Sequence, residues 1–161
     1  METNAPEKVA ILGGGHLGGA IAEGLAASGS FDPDTITVTR RRVDLLAPLA
    51  EGGIRTTDDN REAVDGAEAV VVAVQPQQLD DLLVEVAPAL DPEGQVLIST
   101  VSGASIDAVR RHVGGAIPVV RAMPNLGVAI RESMTCLACD EVSRDGLPTA
   151  RAIFETVGDC V

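Results

Sequence analysis

Residues 8–18 read KVAILGGGHLG, and this stretch decides the fold of the chain. Its first half is a short apolar run, which is typical of a buried strand. Gly13, Gly15 and Gly18 follow in the spacing G-x-G-x-x-G, and residues 20–27, AIAEGLAA, then read as a helix. A strand, a tight turn and a helix are the context in which this glycine spacing predicts an anion-binding loop.

Each glycine of such a loop has its own physical role. The first permits the turn, the second lets backbone N–H groups approach a pyrophosphate, and the third lets helix and strand pack closely. Unpaired N–H groups at the start of the helix then attract the phosphates. The sequence therefore predicts dinucleotide contacts at Leu12, Gly13, Gly15, His16, Leu17 and Gly18. We expect His16 to contact the cofactor without transferring a proton.

The rest of the chain alternates between apolar runs and helical patterns. Strands are predicted near residues 35–39, 54–56, 69–74, 95–99, 117–121 and 133–138. Helices are predicted near residues 43–51, 59–64, 78–90, 105–113 and 144–157. This alternation predicts a Rossmann-type α/β fold, a doubly wound, mostly parallel sheet with helices on both faces. A length of 161 residues suits one domain over residues 1–161.

The composition limits the classes of partner. A net charge of −12 argues against nucleic acid, because phosphate contacts require a basic surface. Lys8 is the only lysine among 12 basic residues, and such an acidic, lysine-poor surface favours a halophilic source, with general solubility as the alternative. The chain shows neither a secretory leader nor 18 consecutive apolar residues, so we expect a cytoplasmic protein that does not enter membranes.

The three cysteines form an odd set, Cys136, Cys139 and Cys160. Cys136 and Cys139 have the C-x-x-C spacing of a metal site, but a second pair is missing from the sequence and the two histidines are distant. We therefore predict no metal site and interpret all three cysteines as reduced thiols, with the thiols of the C-x-x-C segment buried in an apolar strand over Met134 to Ala138.

The choice of cofactor is read at the end of the second strand. Domains that bind NAD usually place an Asp or Glu there to accept a hydrogen bond from the ribose 2′-hydroxyl. This chain instead has Arg40, Arg41 and Arg42. Guanidinium groups bind a 2′-phosphate through charge-assisted hydrogen bonds, so the sequence predicts NADP(H) and disfavours NAD(H). The alternative is a solvated basic run.

Three further segments carry a family resemblance. Residues 73–76 read AVQP, residues 99–103 read STVSG and residues 121–125 read RAMPN. With the glycine loop and the arginines in the same order, the chain resembles pyrroline-5-carboxylate reductase over nearly its whole length. That family has Val-Lys-Pro, Ser-x-Ala-Ala-Gly and Arg-x-Met-Pro-Asn after its fourth, fifth and sixth strands.

The resemblance implies reduction of 1-pyrroline-5-carboxylate, a small-molecule imine, to L-proline with a nicotinamide cofactor. The residues that would line the nicotinamide end of the groove are Ala73, Val74, Gln75, Pro76, Thr100, Val101 and Ser102. Asn60 would contact the adenosine part. Met123, Pro124 and Asn125 would face the nicotinamide and the imine substrate. No residue of the chain is assigned as a catalytic acid or base.

The sequence departs from the family pattern in several places. His16 stands for a usual Asn or Gln, Gln75 for Lys and Ser102 for Ala. Residues 157–161 match the point where the family passes into a second, helical domain that builds the dimer and most of the substrate pocket. We expect that domain to be absent here, so that the chain alone binds NADPH but reduces the imine weakly or not at all. Two alternatives stay open: a stand-alone NADP-binding module, and another NADP-dependent imine or deazaflavin oxidoreductase.

Overall fold

The computed structural model describes residues 5–161 and contains an eight-stranded sheet. The strands are β1 Val9–Leu12, β2 Ile36–Thr39, β3 Arg55–Thr57, β4 Ala69–Val72, β5 Val96–Ser99, β6 Val119–Met123, β7 Ser133–Cys139 and β8 Gly158–Cys160. The α-helices are α1 His16–Ala27, α2 Ala47–Glu51, α3 Asn60–Val64, α4 Pro76–Val86, α5 Ile106–Val113 and α6 Leu147–Phe154. Short 3₁₀ turns cover Pro33–Thr35, Val43–Leu46, Ala87–Ala89, Leu126–Ile130 and Arg144–Gly146.

The strand order is β3-β2-β1-β4-β5-β6-β7-β8. Strands β1 to β6 are parallel, β7 runs antiparallel to β6, and β8 runs parallel to β7. The chain winds outward from β1 in one direction to β3 and then crosses over to β4. This order confirms the predicted Rossmann-type, doubly wound sheet, and it places the switch point between β1 and β4, where such folds bind ligands.

Two aliphatic layers cover the sheet, one on each face. Helices α1, α2 and α6 pack on one face around the fully buried Phe154, with Leu46 just before α2 and Leu49 within it. Helices α3, α4 and α5 pack on the other face. Every residue of β1 and β4 is buried, because both faces of these central strands are covered. The expectation of helices on both faces is confirmed.

The region after β6 differs from its sequence prediction. Helix α6 ends at Phe154 and not at residue 157, and residues 158–160 form β8, which the sequence did not predict. Gly158 has φ +147°, and a side chain there would collide with the backbone of Ser133 on β7. The close approach of β8 to β7 therefore depends on a glycine.

A guanidinium group ties α5 to the segment between β7 and α6. Arg110 donates hydrogen bonds to the carboxylate of Asp140 at 2.7 Å and to the Ser143 hydroxyl at 2.8 Å. Its other terminal nitrogen donates to the carbonyl oxygens of Gly115 and Ile117, each at 3.1 Å. Hydrogen bonding by the Ser143 side chain, assisted by Arg110, lowers the pKa of Asp140. This cluster fixes the antiparallel end of the sheet, away from the glycine loop.

The cysteines are less buried than the sequence suggested. Cys136 is exposed, while Cys139 and Cys160 are partly buried. The prediction that the thiols of this strand, β7, are buried is therefore wrong for Cys136, because the side chains of β7 alternate between a covered and an uncovered face of the sheet. Burial raises the pKa of the Cys160 thiol.

Candidate dinucleotide-binding site

The carboxyl ends of the parallel strands meet at one edge of the sheet. The backbone N–H of Ala73 donates to the carbonyl of Leu12 at 2.8 Å, and that of Thr100 donates to Val72 at 3.0 Å. These bonds hold the segments after β4 and β5 beside the glycine loop that follows β1. The structure thus brings most of the sequence-predicted site residues to one edge, where sheets of this topology bind their ligands.

The geometry of the glycine loop explains two of its glycines and leaves the third facing open space. Gly13 has φ +107°, and a Cβ there would lie 2.7 Å from the carbonyl oxygen of Ala73. A Cβ on Gly18 would overlap the carbonyl oxygen of Gly13, so α1 can lie this close to β1 only without a side chain. A Cβ on Gly15 would meet no atom within 4 Å. The backbone at Gly15 is therefore open for a ligand to approach.

The start of α1 suits an anion. Gly15 is the N-cap residue and provides no side-chain acceptor for the first N–H groups, and the first turn contains no acidic residue. These N–H groups carry the positive end of the dipole of a 12-residue helix. The side chain of His16 is exposed beside them, and Leu17 is half-buried. The residues present therefore fit the diphosphate of a dinucleotide.

The three arginines after β2 have different surroundings. Arg40 is half-buried, and its Nη1 donates to the carbonyl oxygen of Gly14 at 3.2 Å. Arg42 is exposed and pairs with Asp44 at 2.9 Å. Arg41 is exposed, and within residues 5–161 no carboxylate lies at ion-pair distance from it. Arg41 is therefore the arginine best placed to take a phosphate from solution.

Asn60 is the first residue of α3, and its side chain contacts two other elements. Its Oδ1 accepts a hydrogen bond from the Thr39 hydroxyl at 2.6 Å, and its Nδ2 donates to Glu85 at 3.2 Å. Sequence reasoning missed Thr39 and Glu85, because they read as an ordinary strand residue and an ordinary helix residue.

The residues after β4 and β5 contribute to the edge in different ways. Ala73 and Val74 are half-buried, and the exposed Gln75 accepts at Oε1 from Gln77 at 2.6 Å. The Thr100 hydroxyl donates to the Val72 carbonyl oxygen at 2.9 Å. The side chains of Leu12 and Val101 belong to the core and those of Pro76 and Ser102 are exposed, so Leu12 and Val101 offer a ligand only their backbone.

The last residue of β6, Met123, and the two residues after it present both apolar and polar groups. Met123 is 43% exposed, Pro124 is half-buried and Asn125 is exposed. The Asn125 side chain accepts from the N–H of Gly127 at 2.9 Å, which starts the 3₁₀ turn at Leu126–Ile130. This turn packs against α1, so the segment lies close to the helix that carries the glycine loop.

The opposite edge of the sheet is a poorer phosphate site. A cavity of about 500 Å³ lies at the amino ends of β4, β5 and β6. Its lining includes the carboxylates of Glu68, Glu93 and Asp145, which repel an anion.

Among residues 5–161, no cluster of three His, Cys, Asp or Glu residues is placed to hold a metal ion. In the same part of the chain, no helix has the length and apolar character needed to cross a membrane.

The glycine loop, the uncapped start of α1 and the arginines after β2 lie together at the switch point of the sheet. This arrangement defines a Rossmann-type dinucleotide-binding domain. The chain belongs to the family described as NADP oxidoreductase, coenzyme F420-dependent, which matches residues 8–103.

Individual relatives of the chain have more specific names than the family description gives. The chain is 40% identical to pyrroline-5-carboxylate reductase 1 of Dictyostelium discoideum over 93% of this chain and 29% of that protein. It is 34% identical to pyrroline-5-carboxylate reductase 2 of the same organism over 96% of this chain and 57% of that protein. The solved structure of a pyrroline-5-carboxylate reductase from Coxiella burnetii has a TM-score of 0.90 and 32% identity, covering 96% of this chain and 58% of that one. The chain thus spans between about a third and somewhat over half of the length of these relatives.

Proposed function

We propose that this chain is the NADP(H)-binding domain of an oxidoreductase that reduces 1-pyrroline-5-carboxylate to L-proline. The observation that carries the cofactor assignment is Arg41, exposed and without a carboxylate partner among the described residues, at the end of the strand beside the glycine loop. The substrate assignment is supported by the names of relatives that match 93% and 96% of this chain.

The chain's own residues bind and orient the cofactor. Backbone N–H groups of the loop and of the first turn of α1 hold the diphosphate, with Gly15 leaving room for it. Arg41 binds the 2′-phosphate through charge-assisted hydrogen bonds worth about 1.5–3 kcal/mol before desolvation is subtracted, which favours NADP(H) over NAD(H). The nicotinamide ring, when bound, supplies the hydride.

The segments after β4, β5 and β6 set the position of that ring. Residues 73–76 and 100–102 line its site, and Met123, Pro124 and Asn125 face the imine. Hydride transfer requires the ring and the imine carbon to be held in a near-attack geometry, and most of that task falls to the part of the relatives that this chain does not span. We therefore expect the 161-residue chain to bind cofactor and to reduce the imine weakly or not at all.

Residues 1–161 form one dinucleotide-binding domain of a cytoplasmic enzyme, whose partners are small molecules and a second copy held through the region outside this chain. Both apolar layers pack on the same sheet, one on each face, which supports a single domain over the described residues. A net charge of −12 supports the exclusion of nucleic acid.

A deazaflavin-dependent NADP oxidoreductase is the second candidate, because the family description names coenzyme F420. That match ends at residue 103, before Met123, Pro124 and Asn125. The pyrroline-5-carboxylate reductases match more than nine-tenths of the chain. This longer match favours a pyrroline-5-carboxylate reductase over the deazaflavin enzyme.

Parallel titration of the purified chain with NADPH and NADH tests the proposal. We expect tighter binding of NADPH, and we expect Arg41→Glu to lose more than ten-fold in NADPH affinity while NADH binding is spared. Arg111→Glu is the matched control, since Arg111 is exposed on α5 and distant in sequence from the loop. Equal affinity of the parent chain for both cofactors would contradict the assignment to NADP(H).

A further inference from the structure

The first glycine of the loop is anchored by the side chain of a residue on the neighbouring strand. The backbone N–H of Gly13 lies 3.3 Å from the hydroxyl oxygen of Thr39 and 3.2 Å from its carbonyl oxygen. The N–H of Gly14 donates to the same carbonyl at 2.7 Å. Thr39 is only 2% exposed and Gly13 is half-buried, so these bonds are partly shielded from water.

The hydrogen bonds beyond Thr39 have a fixed direction. Glu85 is a carboxylate and only accepts, so the Nδ2 group of Asn60 faces it at 3.2 Å. The Oδ1 of Asn60 therefore faces Thr39, and the Thr39 hydroxyl must donate to it at 2.6 Å. The hydroxyl oxygen then presents its lone pairs to the N–H of Gly13. The orientation set at Glu85 on α4 is thus transmitted to the loop.

Glu85 also fixes the start of the chain of bonds in space. Its backbone carbonyl accepts a hydrogen bond from Nε of Arg61 at 3.0 Å, and Arg61 follows Asn60 in α3. The Asp59 carboxylate caps α3 by accepting from the N–H groups of Arg61 and Glu62. Helix α3 is therefore held from both sides, and the Asn60 amide cannot turn away from Thr39 without losing bonds to two elements.

We propose that Thr39, Asn60 and Glu85 are positioning residues that hold Gly13 in the conformation that receives the cofactor's diphosphate. This inference rests on the proposed function and adds Thr39 and Glu85, which neither the glycine motif nor the family resemblance assigns. It also gives Asn60 a role through Thr39, in addition to the adenosine contact that the resemblance implies. One N–H and one lone pair of its amide stay available for that contact.

The binding test compares Thr39→Val with Thr39→Ser and with Thr37→Val. Thr39→Val removes the hydroxyl's bonds to Asn60 and to Gly13. This loss should weaken NADPH and NADH by the same factor, roughly five-fold or more, because the diphosphate is common to both. Thr39→Ser should restore both affinities. Thr37→Val, two residues earlier on β2, makes the same substitution at a half-buried site and should leave both affinities unchanged. Equal losses in Thr37→Val and Thr39→Val would overturn the proposal.

A second readout does not require a cofactor. In the ligand-free chain, Thr39→Val and Asn60→Ala should each increase the rate of amide hydrogen exchange at Gly13, measured by NMR, and the double variant should add little, because both act through one chain of bonds. Additive effects of the two substitutions on exchange at Gly13, or no effect, would overturn the proposal that Thr39 and Asn60 act through one chain of hydrogen bonds. If exchange changes as expected but the parent chain binds neither dinucleotide, the proposed function fails, while the chain of hydrogen bonds from Glu85 to Gly13 is upheld as a structural feature.

Discussion

Arg40 donates a hydrogen bond from Nη1 to the carbonyl oxygen of Gly14 at 3.2 Å, so one of the three arginines after β2 supports the loop itself. We expect Arg40→Met to lower the free energy of unfolding by about 1 kcal/mol and to weaken NADPH and NADH alike. Arg41→Met should instead weaken NADPH alone and leave stability unchanged. Chemical denaturation together with the two titrations measures both effects. Selective loss of NADPH in Arg40→Met would show that this assignment of roles is wrong.

Gly18 and Gly19 are adjacent in α1, and we expect substitution by Ala to have opposite effects on stability at the two positions. A side chain at Gly18 would overlap the Gly13 carbonyl, so Gly18→Ala should displace α1, destabilise the chain by about 2–4 kcal/mol and abolish cofactor binding. A side chain at Gly19 would meet no atom within 4 Å, and Gly19→Ala should stabilise the helix by roughly 0.5–1 kcal/mol. Thermal unfolding of both variants checks the pair. Similar effects at the two positions would contradict the close packing of α1 on the loop.

Asp140 should make the stability of the fold depend on pH in the acidic range. Hydrogen bonding by the Ser143 side chain lowers the pKa of Asp140 below its ordinary value of 3.8. Because the pKa is lower in the folded state, the carboxylate stabilises the fold above pH 3.8 and loses this contribution as the pH falls through the folded value.

Denaturant unfolding measured between neutral and acidic pH tests this expectation. Asp140→Asn should be less stable than the parent at neutral pH, and the difference should shrink in acid. Asp81→Asn serves as a control, because Asp81 is exposed on α4 and none of the side-chain hydrogen bonds or ion pairs among residues 5–161 involves it. A constant difference between the parent and Asp140→Asn at every pH would show that Asp140 does not act through its charge.

The three thiols should differ in reactivity. Cys136 is exposed, whereas burial and the nearby Glu155 raise the pKa of Cys160, which leaves less of the reactive thiolate at neutral pH. We expect a disulfide reagent such as DTNB to modify Cys136 first in the folded chain, and Cys136→Ser to lose the fast phase. A fast phase that persists in Cys136→Ser and disappears in Cys160→Ser would contradict the exposures seen here.

The acidic surface predicts a response to salt. With a net charge of −12, the folded chain is destabilised by its own repulsion at low ionic strength. If the composition reflects a halophilic source, molar KCl should raise the melting temperature by several degrees, and molar NaCl should act similarly. An unchanged melting temperature in KCl would leave general solubility as the explanation of the composition.

Local sequence patterns were sufficient to predict the first strand, loop and helix of the fold. The strand, glycine loop and helix over residues 8–27 were predicted because each element follows from nearby residues. The sequence was less informative after β6. Strand β8 has only three residues, Gly158–Cys160, and forms because its backbone pairs with β7, so no period within the strand could reveal it. Cys136 was misjudged because the uncovered face of β7 depends on where the helices stop.

The sequence by itself determined the glycine loop between β1 and α1, the alternation of strands and helices, and the three arginines that follow β2. The tertiary structure decided what those residues are free to do. Arg40 is engaged by Gly14, Arg42 by Asp44, and Arg41 by no carboxylate among the described residues. The structure also brought together Thr39, Asn60 and Glu85, which are 21 and 25 residues apart along the chain. Such partners follow from the crossing of strands and helices in space, which spacing along the chain does not record.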